Sequence, residues 1–344
     1  MQAIVYTRYG NPDVVALAEV PKPIPRDREV LIRIHATTVT TGDWRARSLS
    51  MPAGFRLFGR LFFGVLGPRK PILGTELAGV VEGVGSAVTR FKVGDEVFAF
   101  TGANYGAHAE YRAMAEDALI ALKPANLSFA EAATLSFGGM NALGFLRDKA
   151  GIKSGDRVVI VGASGGVGTA AVQIAKHFGA EVTGVCGTAN IDLVRSIGAD
   201  KVIDYTRDDF AKSGELYDIV FDTTGTVTLA RCENALKQGG RLVAIQGSLA
   251  QALGMEHFSK ASGKKVVAGV VTMKVDDMQL LARLAAVGEL KPVIDRSYPL
   301  ASAAEAHAYV DTGRKRGSVV LNVGSSSEPR HVQGRQAQAA TGDS

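Results

Sequence analysis

A glycine-rich turn between a β-like run and a helix-like run is the part of this sequence best suited to bind an anion. The motif Ala163-x-Gly165-x-x-Gly168 follows the β-branched run 158–161 and precedes apolar residues at helical spacing that end at Gly179. Glycines allow a sharp turn and a close approach of the backbone to a pyrophosphate, whose charge is held by free N–H groups at the helix N-terminus. Because the segments on both sides match the required context, the turn predicts a dinucleotide site.

Residues that could bind a metal ion are few and scattered. The two cysteines, Cys186 and Cys232, are too few for a disulfide framework, and their spacing is not that of a zinc cluster. Of the six histidines, His35, His108 and His307 lie within or beside segments expected to be ordered. None of these groupings predicts a metal site.

A basic and aromatic segment, Trp44 to Thr75, contains no acidic residue. Its apolar residues recur at helical spacing and predict a short amphipathic helix over 55–66. Three interpretations stay open: a lid that walls a substrate cleft, a helix packed on the domain beneath it, and a weak contact with a membrane surface. The lid interpretation makes Trp44, Phe55, Phe58 and Phe62 substrate-binding residues.

Two kinds of scaffold must position these groups. Residues 1–125 contain short strands punctuated by glycine and proline, typical of a distorted barrel. Residues 126–270 alternate strands and helices, as in a doubly wound parallel sheet. The predicted strands are 2–6, 29–35, 77–85, 93–99, 158–161, 182–185, 201–203, 219–221, 241–245, 266–270 and 317–322, and the predicted helices besides the one ending at Gly179 are 130–135, 141–150 and 277–287.

The composition of the 344 residues, 46% hydrophobic and 21% charged, is that of a globular protein. The net charge of +5 suits an anionic ligand but does not by itself indicate nucleic acid. No signal pattern and no apolar run of transmembrane length is present, so we expect a cytoplasmic protein. The polar tail 324–344 is predicted to be disordered.

Several motifs together resemble the medium-chain dehydrogenase/reductase superfamily, specifically its zinc-independent quinone oxidoreductase-like branch. The resemblance covers residues 1–323 and is carried by 74–85, 91–97, 163–169, 222–225 and 315–321. It implies an α/β fold with a GroES-like β-barrel substrate domain, made of 1–125 and completed by 271–323. It also implies a Rossmann cofactor domain with a doubly wound parallel sheet over 126–270, and an active site between the two.

The resemblance also bears on zinc. Zinc alcohol dehydrogenases of this superfamily carry a cysteine and a histidine at the positions matched here by Thr40 and Thr75, and the four-cysteine structural lobe is missing. Threonine hydroxyls do not replace a thiolate or an imidazole in a tetrahedral zinc site. Without a Lewis acid, reduction of a quinone or of an activated carbon–carbon double bond is favoured over alcohol oxidation. We therefore expect no zinc.

The cofactor is predicted from the second strand of the parallel sheet. NAD-binding folds usually end this strand in an acid, but here it runs into Thr188 and Asn190, which could bond a phosphate. NADPH is therefore favoured over NADH. By family analogy Tyr205 lies against the adenine and Asn141 sits behind the nicotinamide. The predicted cofactor-binding residues are Asn141, Ser164, Gly165, Gly166, Val167, Gly168, Thr188, Asn190, Tyr205, Thr224, Gly225, Gln246, Gly247 and Arg316.

The catalytic candidates are Thr40 and Asp43, placed near the nicotinamide by the resemblance. A loop-capping role for Asp43 is equally compatible with the sequence, and Thr40 fits a cleft-lining role better than that of a proton donor. Tyr105 is a further substrate-binding candidate. Both Tyr105 and Tyr111 could donate a proton, but a core or barrel-wall role is favoured for each. Water could supply the proton instead, so no general acid is assigned.

The leading functional hypothesis is an NADPH-dependent, zinc-free reductase of quinones or α,β-unsaturated carbonyls. One alternative is an enoyl or other double-bond reductase acting on a carrier-bound or halogenated substrate. Another is a nucleotide-binding protein with weak catalysis. The expected partners are a small apolar or conjugated substrate and a second copy of the chain, joined through the edge strand at 265–270, with no nucleic acid and no membrane.

Overall fold

The chain is organised around a largely antiparallel sheet and a parallel sheet, and the computed structural model describes residues 1–51, 54–247 and 263–324. The described strands are β1 (Gln2–Val5), β2 (Ala16–Glu19), β3 (Glu29–Thr38), β4 (Glu76–Val84), β5 (Glu96–Phe100), β6 (Tyr111–Ala115), β7 (Ile120–Leu122), β8 (Arg157–Val161), β9 (Glu181–Cys186), β10 (Lys201–Asp204), β11 (Tyr217–Asp222), β12 (Leu236–Ala244), β13 (Lys265–Val267), β14 (Ile294–Pro299) and β15 (Ser318–Asn322).

The helices of the described residues contact both sheets. They are α1 (Thr41–Ser48), α2 (Arg56–Phe63), α3 (Phe129–Ala133), α4 (Leu135–Leu143), α5 (Gly166–His177), α6 (Ile191–Ser196), α7 (Leu229–Cys232), α8 (Val275–Ala286) and α9 (Ala303–Asp311). A π-helix, Gly144–Ala150, continues α4. None of the helices in the described ranges is long and apolar enough to cross a membrane.

The antiparallel sheet is built on β3, which pairs with β4 along one edge and with β6 and then β15 along the other. Its full order is β14-β15-β3-β4-β5-β7, with β6 off this path. The side chains of Val30, Ile32 and Ile34 are buried in the core beneath the sheet. The predicted strands 29–35 and 77–85 are thus confirmed, and the first extends to Thr38.

The parallel sheet has the order β10-β9-β8-β11-β12-β13. The chain builds outward from β8 in one direction and then returns to build outward from β11 in the other. In open parallel sheets ligands bind at the carboxyl ends of strands where the order reverses, which here is between β8 and β11. Val158, Val159 and Ile160 of β8 are fully buried, as expected for a strand covered on both faces.

The C-terminal segment returns from the parallel sheet to the antiparallel one. Helix α8 packs its buried Met278 and Leu281 into the same core as the parallel sheet. Strand β15 then pairs with β3, and the backbone N–H of Gly317 donates to Ser164 O at 2.8 Å. This bond fixes the C-terminal strand against the glycine-rich turn. The domain boundaries at 125, 270 and 323 remain predictions, and the predicted tail lies outside the described residues beyond Gly324.

Several predicted elements differ from the structure in their bounds, and packing or backbone geometry explains two of these differences. Helix α4 begins at Leu135 rather than at residue 141, because its glycines are packing positions and not helix breakers: an ideal Cβ on Gly138 would lie 2.4 Å from Gly166 O. The predicted strand 266–270 ends at Val267, since Gly269 has φ +102° and turns the chain away.

Candidate active site

The glycine-rich turn joins β8 to α5 with no side-chain cap at the helix start. Gly162 takes the positive φ of +79°, so Ala163 fits in the slot that usually holds the first glycine. An ideal Cβ on Gly168 would lie 2.0 Å from Gly162 O, whereas one on Gly165 would meet nothing closer than 3.4 Å. The first turn of α5 therefore offers free backbone N–H groups beside a surface without side chains, which fits a dinucleotide pyrophosphate.

A lysine that the sequence analysis missed lies at this turn. An ideal Cβ on Gly166 would be 3.0 Å from Lys315 Nζ, which donates to Gly317 O at 2.6 Å. Burial lowers the pKa of Lys315 to about 8. The predicted neighbour, Arg316, is exposed, and its backbone N–H donates to Asp295. The bridge between Gly165 and Gly317 determines that Lys315, and not Arg316, lies against the turn. No sequence pattern indicated this bridge.

The residues predicted to hold the adenosine end lie together at the ends of β9 and β10. Asn190 Nδ2 donates to Ser164 Oγ at 3.1 Å, and its buried Oδ1 has no partner among the described residues. Thr188 Oγ1 donates to Asp204 Oδ2 at 2.5 Å, and this bond lowers the pKa of Asp204. The ring of Tyr205 is 66% exposed and lies over Gly187. The carboxylate of Asp204 is the group here that the sequence analysis did not select.

The loops after β11 and β12 bring together three of the predicted cofactor-binding residues, Thr224, Gly225 and Gln246. Thr224 Oγ1 donates to the buried Asp222 at 2.6 Å. Gly225 has φ +76°, and an ideal Cβ there would lie 3.2 Å from the side chain of Gln246. Gln246 Nε2 donates to the backbone oxygen of Thr223 at 2.7 Å, which orients its Oε1. Asn141, on α4, donates from its Nδ2 to Phe137 O at 2.8 Å.

An arginine from α1 crosses to this loop. Arg45 Nη2 donates to Gln246 Oε1 at 2.8 Å and so joins the two sheets' loops. Burial lowers the pKa of Arg45, and its Nε has no partner among the described residues. The sequence analysis selected its neighbour Trp44 instead, since only the structure shows which side chain of α1 faces the parallel sheet.

Thr40, Asp43 and Thr75 form a hydrogen-bonded group at the start of α1. Thr40 and Asp43 make a capping box, in which Asp43 Oδ2 accepts from Thr40 N at 2.8 Å and from Thr40 Oγ1 at 2.6 Å. Asp43 Oδ1 accepts from Gly74 N at 2.8 Å, and the side chain is fully buried. The loop-capping role that the sequence left open for Asp43 is therefore present.

The same group shows whether zinc would fit. Thr40 Oγ1 and Thr75 Oγ1 lie 3.0 Å apart and are bonded to each other. Within the described ranges, no three His, Cys, Asp or Glu side chains are grouped as metal ligands. Glu76, next in the chain, is buried and accepts from Thr38, Ser136 and the Phe137 N–H, and burial raises its pKa to about 7. These donors do not fit a tetrahedral zinc site.

The aromatic candidates do not converge. Phe58 and Phe62, on α2, are 56% and 59% exposed. Tyr105 is buried in the barrel core, with its ring centroid 6.2 Å from that of Phe63, so the structure places it beneath α2 rather than on an open wall. Burial raises the pKa of Tyr105 far above its ordinary value, as expected for a core phenol. Trp44 and Phe55 are half-buried.

Known proteins with a GroES-like domain and a dehydrogenase domain are similar to this chain. The family model of the alcohol dehydrogenase GroES-like domain matches residues 26–124, and that of a zinc-binding dehydrogenase matches residues 197–321. The quinone oxidoreductase of Sus scrofa is 36% identical over 89% of this chain and 93% of its own. The chain belongs to the medium-chain dehydrogenase/reductase superfamily. It lies in the quinone oxidoreductase-like branch and is an oxidoreductase.

Two further relatives support this membership. The NADPH-dependent alkenal/one oxidoreductase of Arabidopsis thaliana is 33% identical over 93% of this chain and 79% of its own. The solved structure of the quinone oxidoreductase from Coxiella burnetii superposes with a TM-score of 0.83 at 29% identity, covering 94% of this chain and 99% of that one. The predicted fold class, a GroES-like domain with a Rossmann domain, is confirmed.

Proposed function

We propose that this oxidoreductase transfers hydride from NADPH to a quinone or an α,β-unsaturated carbonyl without zinc. The observation that carries the proposal is the bonded hydroxyl pair of Thr40 and Thr75, in a chain that also has a glycine-rich turn suited to a dinucleotide. Relatives named as quinone and alkenal/one oxidoreductases support the class of acceptor. NADPH, when bound, would supply the hydride.

The acceptor class follows from what the site can do without a Lewis acid. A metal ion would polarise an isolated carbonyl, but two threonine hydroxyls do not. A conjugated acceptor takes the hydride at carbon and places the negative charge on its oxygen, after which water can supply the proton. The site needs only to bind and orient the acceptor and to stabilise that oxygen.

Arg45 is suited to stabilise this charge. Its guanidinium is held against Gln246 Oε1 at the junction of the sheets and keeps one N–H without a partner among the described residues. Preorganised donors aimed at a developing anion commonly change kcat by about 10²–10³-fold. We therefore assign to Arg45 the stabilisation of the acceptor oxygen.

The variant Arg45→Met tests the proposal. It keeps the length of the side chain and removes its donors, so we expect kcat with a water-soluble quinone to fall by about 10²-fold while KM for NADPH changes little. Arg45→Lys, which keeps the charge, should recover part of the loss. Unchanged kcat in Arg45→Met would remove Arg45 from the mechanism.

The cofactor preference rests on the loop after β9. Thr188 and Asn190 present a hydroxyl and an amide, and no acidic residue ends the strand, so a 2′-phosphate can be bound there. Asp204 is the opposing feature, because its carboxylate is bonded to Thr188. We propose that the amide of Asn190 and the absence of an acid at the end of β9 outweigh Asp204, which gives a preference for NADPH over NADH. We propose that the cofactor-binding residues predicted from the sequence bind NADPH, except Arg316. Lys315 replaces Arg316 in this set.

We also propose a homodimer and a cytoplasmic location, as expected from the sequence. Among the described residues strand β13 ends the parallel sheet, which supports a homodimer formed by strand pairing at that edge. Both cysteines are free and buried, which suits a reducing compartment such as the cytoplasm.

A further inference from the structure

Helix α2 and the turn after it carry an apolar surface that is covered by nothing in the described structure. Six large apolar side chains are exposed on it, between 49% and 102% of their full area. Such a patch on an isolated chain marks an interaction site. We call it the α2 surface, and its residues are Leu57, Phe58, Leu61, Phe62, Val65 and Leu66.

The tip of this surface is held in place by hydrogen bonds. Gly64 turns the chain out of α2 with φ +134°, and its backbone oxygen accepts from Tyr9 Oη at 2.9 Å. The N–H of Arg69 donates to Phe63 O at 2.8 Å and closes the turn. Leu66, at the outermost point, is fully exposed. An apolar side chain is thus presented to solvent on an ordered support.

The charges within the segment that carries the α2 surface have one sign. Arg60, Arg69 and Lys70 flank the apolar residues, and no acidic residue occurs between Trp44 and Thr75. On the neighbouring N-terminal segment, Asp13 is paired with Arg8 at 4.0 Å. The surface therefore combines an apolar tip with a positive rim.

We propose that the α2 surface binds a negatively charged membrane surface. Apolar side chains on an amphipathic helix enter the headgroup region, and a basic rim is attracted to anionic lipids. This departs from the expectation of no membrane partner and adopts the third interpretation that the sequence left open for the segment 44–75. It stands on the surface alone and goes beyond the proposed enzymatic function.

A second copy of the chain fits this surface less well. A two-fold contact would bring the same patch on both copies together and place Arg60, Arg69 and Lys70 opposite their own counterparts. Like charges at such an interface oppose association. An anionic lipid layer satisfies the apolar tip and the positive rim at once.

Sedimentation with lipid vesicles tests the proposal. We expect the full chain to bind vesicles containing about one quarter phosphatidylglycerol in phosphatidylcholine, and to bind phosphatidylcholine alone at least about tenfold less. Leu57→Ser with Leu66→Ser, and separately Arg69→Glu with Lys70→Glu, should each lower the partition coefficient by about tenfold or more. Added salt should weaken the binding of the wild-type chain.

Matched controls lie elsewhere on the surface. Ile24→Ser replaces an apolar residue that is 87% exposed, and Arg26→Glu with Lys92→Glu makes the same charge change away from α2. These controls should bind within about twofold of wild type. Leu57 and Leu66 have no proposed catalytic role, so reduction of a water-soluble quinone by that variant should be unchanged. Equal binding by wild type and by both α2 variants, or a change of molar mass in the variants without any vesicle binding, would overturn the proposal.

Discussion

At the scale of single residues, the interior of the barrel holds two histidines with different surroundings. His108 Nε2 bonds with Thr38 O at 2.9 Å, whereas both ring nitrogens of His307 lack a partner among the described residues. Burial, helped by the nearby His108 and Arg47, holds the pKa of His307 well below 6.5. In the unfolded chain the imidazole of His307 is therefore protonated near pH 6.5, whereas in the folded chain it stays neutral at that pH.

This difference predicts a pH effect on stability. Because the unfolded state binds more protons below pH 6.5, the free energy of unfolding should fall as the pH drops, by up to about 1.4 kcal/mol per pH unit from this group. His307→Leu removes the group without breaking a hydrogen bond, so the acid side of the stability curve should flatten. Denaturant melts between neutral and acidic pH measure this.

The neighbouring histidine supplies the contrast. His108→Leu leaves the buried Thr38 carbonyl without its partner, so stability should fall by about 1–3 kcal/mol even at neutral pH. An equal acid slope in wild type and His307→Leu would show that His307 does not control it.

The residues of the site were predictable where a motif fixes them and not where side-chain direction decides. Ser164 is bonded to Asn190, and Thr188 and Tyr205 lie at the ends of the neighbouring strands, while their binding of a cofactor stays a prediction. Arg45 and Lys315 were each one position from a residue that was selected. Hydrophobic periodicity or a motif predicts which helix or strand a residue lies on. The direction of its side chain depends on tertiary contacts, such as that of Arg45 with Gln246.

At the scale of elements, the glycines of the turn have separable roles. Gly168 is needed because its backbone approaches Gly162 O, whereas Gly165 has an extended backbone with room for a Cβ. We expect Gly168→Ala to lower both the melting temperature and NADPH binding. Gly165→Ala should leave the melting temperature unchanged but weaken NADPH binding by about tenfold, because a Cβ would meet the pyrophosphate.

Thermal melts and fluorescence titration with NADPH measure the two effects separately. NADPH binding by Gly165→Ala that matches wild type would mean that the pyrophosphate does not lie against this turn.

Elements with regular patterns were predicted, and those shaped by packing were not. The strands of the parallel sheet follow β-branched runs, so their positions were predictable. The start of α4 was not, since Gly138 and Gly139 are glycine for close packing, the latter against Leu281 on a helix far along the chain.

At the scale of the whole molecule, the proposed active site depends on two sheets that meet at one junction. The glycine-rich turn is attached to the C-terminal strand of the antiparallel sheet, and Arg45 of α1 reaches the loop after β12. We therefore propose that cofactor and acceptor meet at the junction to which both sheets contribute. The sequence predicted both sheets, but the contacts between them required the structure.

The most direct test of hydride transfer without zinc is NADPH oxidation by the purified chain after dialysis against a chelator. The acceptors would be a quinone, an enone, an enoyl thioester and a saturated ketone, with NADH as the alternative donor. If hydride transfer needs no zinc, turnover with the quinone or the enone should be the same before and after dialysis. We also expect no turnover with the saturated ketone and a higher kcat/KM with NADPH than with NADH. Activity that disappears on dialysis and returns only with added zinc would contradict hydride transfer without zinc.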